Sequence, residues 1–590
     1  MKMANHSSFW FLIYFGCLAS FSPSYSYHQT DLANSYFSSG QFTRLSPEIR
    51  DLTCLGCRTL VSGVADRIND GATVEEIEEA FILECVVLDL FPGDVCEGMV
   101  RLLGEQVVYV VNHTSFEPSD ICGFVLGFDH CSGYTGLTNW TVDLPPGKPE
   151  PDHPEPQEPE SPFRILHLSD LHVDLDYAEG AAVNCDYPLC CREAYGMAQP
   201  GEEAAGPWGG RGHCDIPAHT LDHLLGQAKE IVQPHMVYVT GDLPPHDVWD
   251  QTRDSNMAAL NLTTSLLYKH FPDIPVLAAL GNHEAVPVNS YPVPSVYEDG
   301  WDITWLYENL AEKWSYWLPD EVLPDVLQGG FYVVSPYPGL RVISVNMNYC
   351  GTGNFFLLMD NVDPVDEMKW LVYQLTEAEN MGDKVHILGH IPSGDTCDKT
   401  WSHVFNSVVT RFESTIRGLF FGHTHHDEWE VMYDVDDATR PVGIQFITPS
   451  ATTYSYAHYK SPSFRVYTTD GGYDQATWAV IDHTTYSMNL TEANANGLEP
   501  IYQERYSAVE AYGVTGLSPA SIDNLVTNMA TDDALFQTYL RHRFTYAEEP
   551  SEVSECDTDC RKSTLCTLVT ADSSDDRPCQ RIKDIINGNE

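Results

Sequence analysis

Leu55, Leu60 and Val64, then Ile77, Phe81 and Ile82, and later Val100, Leu103, Val107 and Val110 recur at the spacing of an amphipathic helix. That pattern predicts an all-helical module over residues 50–135. The periodicity then stops. Between Leu144 and Pro162 stand eight prolines and no apolar repeat, so residues 136–162 are expected to be an extended linker of the polyproline type. From Phe163 onward short apolar runs alternate with amphipathic stretches. The predicted strands are Phe163–Leu168, Met236–Thr240, Val276–Leu280, Val342–Val345, Val385–Leu388, Leu419–Phe421 and Ile444–Thr448, with helices at 216–231, 301–317 and 364–380. Such alternation predicts an α/β layered core over residues 163–470. A last region, 471–590, is predicted helical over Leu517–Met529 and Ala534–Phe544.

A chain of 590 residues, 43% hydrophobic, is too long for one small domain and has the apolar content of a folded protein. Its formal charge of −54 argues against a nucleic-acid partner, which needs basic clusters, though not against a nucleotide as small substrate. Repulsion among so many carboxylates fades as they protonate, so an acidic compartment suits the chain; a solubility role explains the same charge. Lys2 followed by the apolar run Phe9–Phe21 and small residues up to Ser26 reads as a signal peptide over residues 1–26. Of 17 cysteines, Cys17 lies in that segment. The others fall in even groups: Cys54, Cys57, Cys85, Cys96, Cys122 and Cys131; Cys185, Cys190, Cys191 and Cys214; Cys350 and Cys397; Cys556, Cys560, Cys566 and Cys579. Even groups predict disulfides formed within modules in an oxidising compartment, while six cysteines alone leave 15 pairings open. Sequons at Asn112, Asn139, Asn261 and Asn489 fit a secretory route. The protein is expected to be exported, secreted or lysosomal, and to act as a monomer.

The chemistry stands at the ends of the predicted strands. The first runs into Asp170-Leu171-His172, the second into Gly241-Asp242 with His246 beyond it, and the third into Gly281-Asn282-His283-Glu284. Later strands end in Gly389-His390 and Gly422-His423-Thr424-His425. In an open α/β sheet ligands bind outside the carboxyl ends of the strands. Five strand ends therefore deliver aspartate, asparagine and histidine to one edge, each motif beside a small residue that allows close approach. That donor set suits divalent transition metals better than calcium or magnesium.

In order and type, these motifs resemble those of the calcineurin-like metallophosphoesterases, over residues 163 to about 470. The six leading cysteines on a helical segment resemble the saposin B-type domain, a lipid-binding helical fold. With the linker and the cysteine-bearing tail, the chain resembles the acid sphingomyelinase family. The saposin resemblance implies nested disulfides, Cys54–Cys131, Cys57–Cys122 and Cys85–Cys96. The phosphoesterase resemblance implies two zinc ions per chain: one on Asp170, His172, Asp242 and His425, the other on Asp242, Asn282, His390 and His423. It also implies His283 as the acid for the leaving alkoxide, His246 as orienter or co-donor, and Tyr454 on the substrate side, although core packing explains Tyr454 equally. A purple acid phosphatase would place a metal-binding tyrosine where Pro245 stands.

The family resemblance implies hydrolysis of sphingomyelin to ceramide and phosphocholine, with the saposin-like module docking on membranes. Between Arg50 and Cys131 there are 15 acidic and four basic residues, so docking on anionic membranes is expected at acidic pH. Three other readings stay open on sequence: a soluble phosphodiesterase on nucleotides, a phospholipase C-like enzyme, and a lipid carrier with an inactive phosphatase-like body.

Overall fold

In the computed structural model, residues 47–126, 131, 136–149, 162–455, 460–496, 499–545 and 556–588 are described, with side chains from Cys54 onward. The predicted signal peptide and residues 150–161 of the predicted linker lie outside them.

Four helices form the first module: α1 (Pro47–Asn69), α2 (Val74–Val87), α3 (Gly93–His113) and α4 (Pro118–Leu126). Helix α2 starts on a capping box, in which the Thr73 side chain accepts from Glu76 N and Glu76 accepts from Thr73 N. Leu60 and Val64 of α1 bury against Ile77 and Phe81 of α2 and Val108 of α3. Disulfides Cys54–Cys131, Cys57–Cys122 and Cys85–Cys96 tie the helices in nested order. Not all apolar positions turn inward. Leu55, Leu83, Val86, Val87 and Leu88 are exposed, Val87 at 72%.

The body is a sandwich of two six-stranded sheets. The first runs in the order β14 (Tyr502–Ser507), β13 (Val480–Met488), β12 (Ser463–Thr469), β1 (Phe163–Leu168), β4 (Met236–Val239), β5 (Val276–Ala278). The second runs β10 (Glu428–Tyr433), β11 (Pro441–Ile447), β9 (Ile416–Phe421), β8 (Lys384–Leu388), β7 (Leu340–Ser344), β6 (Tyr332–Tyr337). Strands β1, β4 and β5 pair parallel, as do β7, β8, β9 and β11, and the outer strands add antiparallel. A small parallel pair, β2 (Val173–Asp174) with β3 (Ile216–Pro217), sits beside the first sheet. Parallel strands buried on both faces explain the near-continuous apolar runs of the sequence.

Several polar groups buried between the sheets are paired there. Tyr238 of β4 donates its hydroxyl to His386 Nδ1 of β8 at 2.7 Å, and His386 Nε2–H donates to the Trp478 carbonyl at 2.7 Å. The ring of Phe420 lies 5.1 Å from Tyr238 and 4.9 Å from Tyr467. Arg465 of β12, wholly buried, pairs with Asp427.

The region after residue 470 extends the first sheet by β13 and β14, with the short helix Leu490–Asn496 between them, and is then helical over Ala508–Tyr512, Pro519–Met529, Asp533–Arg543, Thr558–Thr567 and Arg577–Ile586. Its disulfides are Cys556–Cys560 and Cys566–Cys579, and the body holds Cys185–Cys190, Cys191–Cys214 and Cys350–Cys397. No helix among the described residues is long and apolar enough to cross a membrane.

The module is seated on the body. Phe91, Val95, Met99 and Leu103 share one buried cluster with Leu189, Trp249 and Tyr454. Ser290 donates to Gln106 at 2.6 Å, Thr114 to the Leu358 carbonyl at 2.7 Å, and Tyr187 to Asp94 at 3.0 Å. Helix α3 thus covers Trp249, three residues beyond His246.

Candidate metal centre

The carboxyl ends of β1, β4, β5, β8 and β9 meet at one edge of the sandwich and bring the strand-end motifs together. The backbone there is unusual. Asp170, His172, Asp242, His423 and His425 all have positive φ, between 36° and 72°. Side chains other than glycine rarely adopt that region, and such strain collects at functional sites. Tight approach is also required: a Cβ at Gly422 would clash with Ser169 Oγ and Asp170 Oδ2, so this position takes no side chain.

The seven predicted ligands converge in two groups that share Asp242. His390 Nε2 lies 3.0 Å from Asp242 Oδ2 and 3.0 Å from Asn282 Oδ1, and His423 Nδ1 lies 3.0 Å from the same Asn282 oxygen. On the other side His172 Nε2 is 3.5 Å from Asp242 Oδ2, and His425 Nε2 is 3.3 Å from Asp170 Oδ1. Ligand atoms of Asp170, His172 and Asp242, and likewise those of Asp242, His390 and His423, lie within 4.8 Å of one another. Backbone carbonyls orient two of the rings. His172 Nδ1–H donates to the Pro244 carbonyl at 2.7 Å and His390 Nδ1–H to the Thr240 carbonyl at 2.5 Å, which leaves each Nε2 lone pair facing the cluster.

The charge balance of this edge fits cations. Asp170 and Asp242 are 0% and 2% exposed. Burial works to raise both carboxyls, and the surrounding histidines, His425 beside Asp170 and His390 beside Asp242, outweigh it. Asp170 is held below and Asp242 well below the usual range. Buried carboxylates kept ionised, next to an unpartnered buried His172 Nε2, are what a divalent metal centre requires.

His283 and His246 border this centre. The His246 ring is 3.8 Å from that of His172 and 4.8 Å from that of His283. His283 N donates to Asp242 Oδ1 at 2.8 Å, and its buried Nδ1 has no partner; burial lowers its pKa to about 4. His246 Nε2 is likewise buried without a partner, and burial pushes that ring well below its ordinary range. Tyr454 is 1% exposed, stacks on His246 at 3.8 Å and 9°, and spends its hydroxyl on the Pro188 carbonyl at 2.9 Å. Its place is therefore behind His246, as a packing partner. Of the sequon residues, Asn112 and Asn139 are exposed and Asn261 and Asn489 half-buried.

Some neighbours carried no sequence signal. Asp215, next to Cys214 of a disulfide, holds His246. Arg192 pairs with Asp174 at 2.8 Å and with Asp247 at 2.9 Å, which fixes the loop after His246. Glu284, quoted only as part of its motif, accepts from Leu243 N at 2.8 Å and so ties the loop after β5 to the one after β4.

The calcineurin-like phosphoesterase family matches residues 163–427, and the acid sphingomyelin phosphodiesterase C-terminal region matches residues 440–585. The two meet on either side of β10, although the sheets continue through both. Among similar proteins, the bovine sphingomyelin phosphodiesterase (Bos taurus) is 41% identical over 552 residues, covering 92% of this chain and 87% of its own. The human one (Homo sapiens) is 42% identical, covering 91% and 85%, and sphingomyelin phosphodiesterase 2 of Caenorhabditis elegans is 36% identical, covering 91% and 89%. Identity at this level along nearly the whole chain, together with both domain matches, shows that the chain belongs to the acid sphingomyelinase family.

Proposed function

We propose that the chain is a hydrolase that cleaves sphingomyelin to ceramide and phosphocholine, docked through its saposin-like module on sphingomyelin-containing membranes at acidic pH. The observation that carries this reading is the convergence of Asp170, His172, Asp242, Asn282, His390, His423 and His425 at one sheet edge. The relatives that span the chain are sphingomyelin phosphodiesterases.

In this reading Asp170, His172, Asp242 and His425 hold one zinc ion and Asp242, Asn282, His390 and His423 the other. Mixed imidazole and oxygen donors favour zinc over harder cations. Cations so held supply acidity to water and positive charge to the phosphate oxygens. The remaining work falls to the chain. His283 and His246, each with a ring nitrogen free of protein partners, face the leaving oxygen and deliver its proton. The strand ends fix the ligand geometry, and the backbone carbonyls of Thr240 and Pro244 keep the rings from turning.

Docking is supported by the exposed apolar residues Leu55, Leu83, Val86, Val87 and Leu88 on the module. Its excess of acidic residues opposes anionic surfaces at neutral pH, and protonation relieves that opposition. Eight disulfides support an exported chain, secreted or lysosomal.

The test is turnover of sphingomyelin in mixed phosphatidylcholine vesicles, with ceramide and phosphocholine identified by mass spectrometry. The double variant Leu83→Glu/Val87→Glu is expected to lose vesicle turnover and keep cleavage of a water-soluble phosphodiester. Cleavage of soluble esters with sphingomyelin untouched would refute the lipid assignment. Equal vesicle binding at neutral and acidic pH would refute the docking scheme.

A further inference from the structure

His246 is held more firmly than a loop histidine needs to be. Asp215, 0% exposed, places Oδ1 and Oδ2 at 2.9 and 3.0 Å from His246 Nδ1, and its Oδ2 also accepts the His246 backbone N–H at 2.8 Å. Thr452 donates its hydroxyl to Asp215 Oδ1 at 2.9 Å. Asp215 is itself anchored. Cys214 is bonded to Cys191, and the Cys214 carbonyl accepts from Thr453 Oγ1 at 2.7 Å. Ile216 pairs with Val173, one residue beyond His172. The far face of the His246 ring is closed by Tyr454 at 3.8 Å. One ring nitrogen is thereby committed to a carboxylate, and the other, Nε2, is buried, unpartnered, and on the side of His172 and His283.

We infer that Asp215 is a positioning residue for the reaction: by accepting Nδ1–H it fixes the tautomer and direction of His246, so that Nε2 alone faces the leaving oxygen of the phosphodiester. This rests on the hydrolytic reading above. In the step concerned, the bond from phosphorus to the leaving oxygen breaks, its electron pair stays on that oxygen, and the oxygen takes the Nε2 proton of the doubly protonated His246 ring, which is left as the neutral Nδ1–H tautomer on Asp215. His246 keeps its Nδ1 proton on Asp215 throughout and is reloaded at Nε2 from water. A carboxylate behind an imidazole does this in other hydrolytic sites by holding one tautomer and stabilising the charged ring.

The prediction is a dependence on the leaving group. An alkoxide needs the proton, whereas 4-nitrophenolate leaves without it. In the full-length chain, Asp215→Asn is expected to lower kcat on sphingomyelin by about a hundredfold, the lower range for a general acid. It should leave 4-nitrophenyl phosphocholine within about threefold, because that ester makes no use of the acid. His246→Ala should lose at least as much as Asp215→Asn on sphingomyelin, and the double variant should lose nothing beyond His246→Ala. If Asp215→Asn does not fold, Thr452→Val, which removes one hydrogen bond from Asp215, should show a smaller loss with the same selectivity. Equal losses on both esters, an unchanged kcat on sphingomyelin, or additive losses in the double variant would overturn the assignment. If the unaltered chain cleaves the aryl ester but not sphingomyelin, the lipid reading fails. Asp215 is then judged by the same contrast between an alkyl and an aryl soluble diester.

Discussion

Replacing Arg465 by methionine tests whether the phosphoesterase sheets and the C-terminal region fold as one body. Arg465 lies on β12 and is wholly buried. Its guanidinium pairs with Asp427 and donates to the Tyr467 hydroxyl at 3.2 Å. Asp427, two residues after His425, also accepts from Tyr506 of β14 at 2.6 Å and from Thr485 of β13 at 2.5 Å. One carboxylate thus ties three strands of the first sheet to the turn that enters β10. Methionine replaces most of the arginine stem but leaves Asp427 with neutral donors only. Breaking a buried pair from one side costs about 3–5 kcal/mol, because a charge stays behind. At 1.4 kcal/mol per tenfold, that is roughly 140- to 4,000-fold in the folding equilibrium. Urea unfolding followed by far-UV circular dichroism and by tryptophan fluorescence should show both midpoints falling together. Arg465→Met/Asp427→Leu removes both charges and should recover at least about half of the loss. A single variant that loses less than about 1 kcal/mol, against the 3–5 expected, would refute this view of the pair.

Other consequences follow from particular residues. His386 is neutral in the fold, accepting from Tyr238 and donating to Trp478, and burial holds its pKa at about 4. The unfolded chain takes up that proton first, so stability present above about pH 6.5 falls by about 3 kcal/mol as the pH drops to about 4. His386→Asn should flatten this part of the stability–pH profile measured by urea unfolding, and an unchanged slope would contradict it. Removing Cys57–Cys122 as a pair of serines leaves Cys54–Cys131 closing the outer loop, so the loss is that of a loop of about 15 residues, about 3 kcal/mol. It should appear as faster proteolysis within the helical module, with cleavage of soluble esters retained. Asp242→Asn should lower metal content at both positions and reduce turnover on every ester by at least about a hundredfold, the upper range for loss of a mere outer-shell partner.

The strands that carry the centre were legible because they are apolar runs ending in a small residue, Ser169 or a glycine. Phe163–Leu168 was read at its observed bounds, and the runs at 236, 276, 342, 385, 419 and 444 all fall on strands. Read ends overshot where apolar residues such as Ala279 and Leu280 continue past the last paired position. Strands β10, β13 and β14 escaped detection because they bear charge that only the fold neutralises. Glu428 is buried by pairing with Arg543, and Asp482 accepts from Ser507 across the ladder. Helix Arg253–His270 was missed for a related reason: Asn256 and Thr263 are buried among its apolar residues and blur the period. Each ligand motif opened on a small residue with a strand before it, so its place followed from chain order. Asp215 had neither, and meets His246 only through the β2–β3 pair 31 residues earlier in the chain.

The central claim is that two cation positions sharing Asp242 perform the hydrolysis. The most direct measurement is metal content by plasma mass spectrometry on the purified full-length chain, taken together with sphingomyelin turnover as a chelator strips the metal and zinc is returned. Two equivalents per chain in the active protein, loss of turnover with the metal, and recovery on adding zinc are the expected results. Full turnover by metal-free protein, or a single equivalent in fully active protein, would contradict the shared centre.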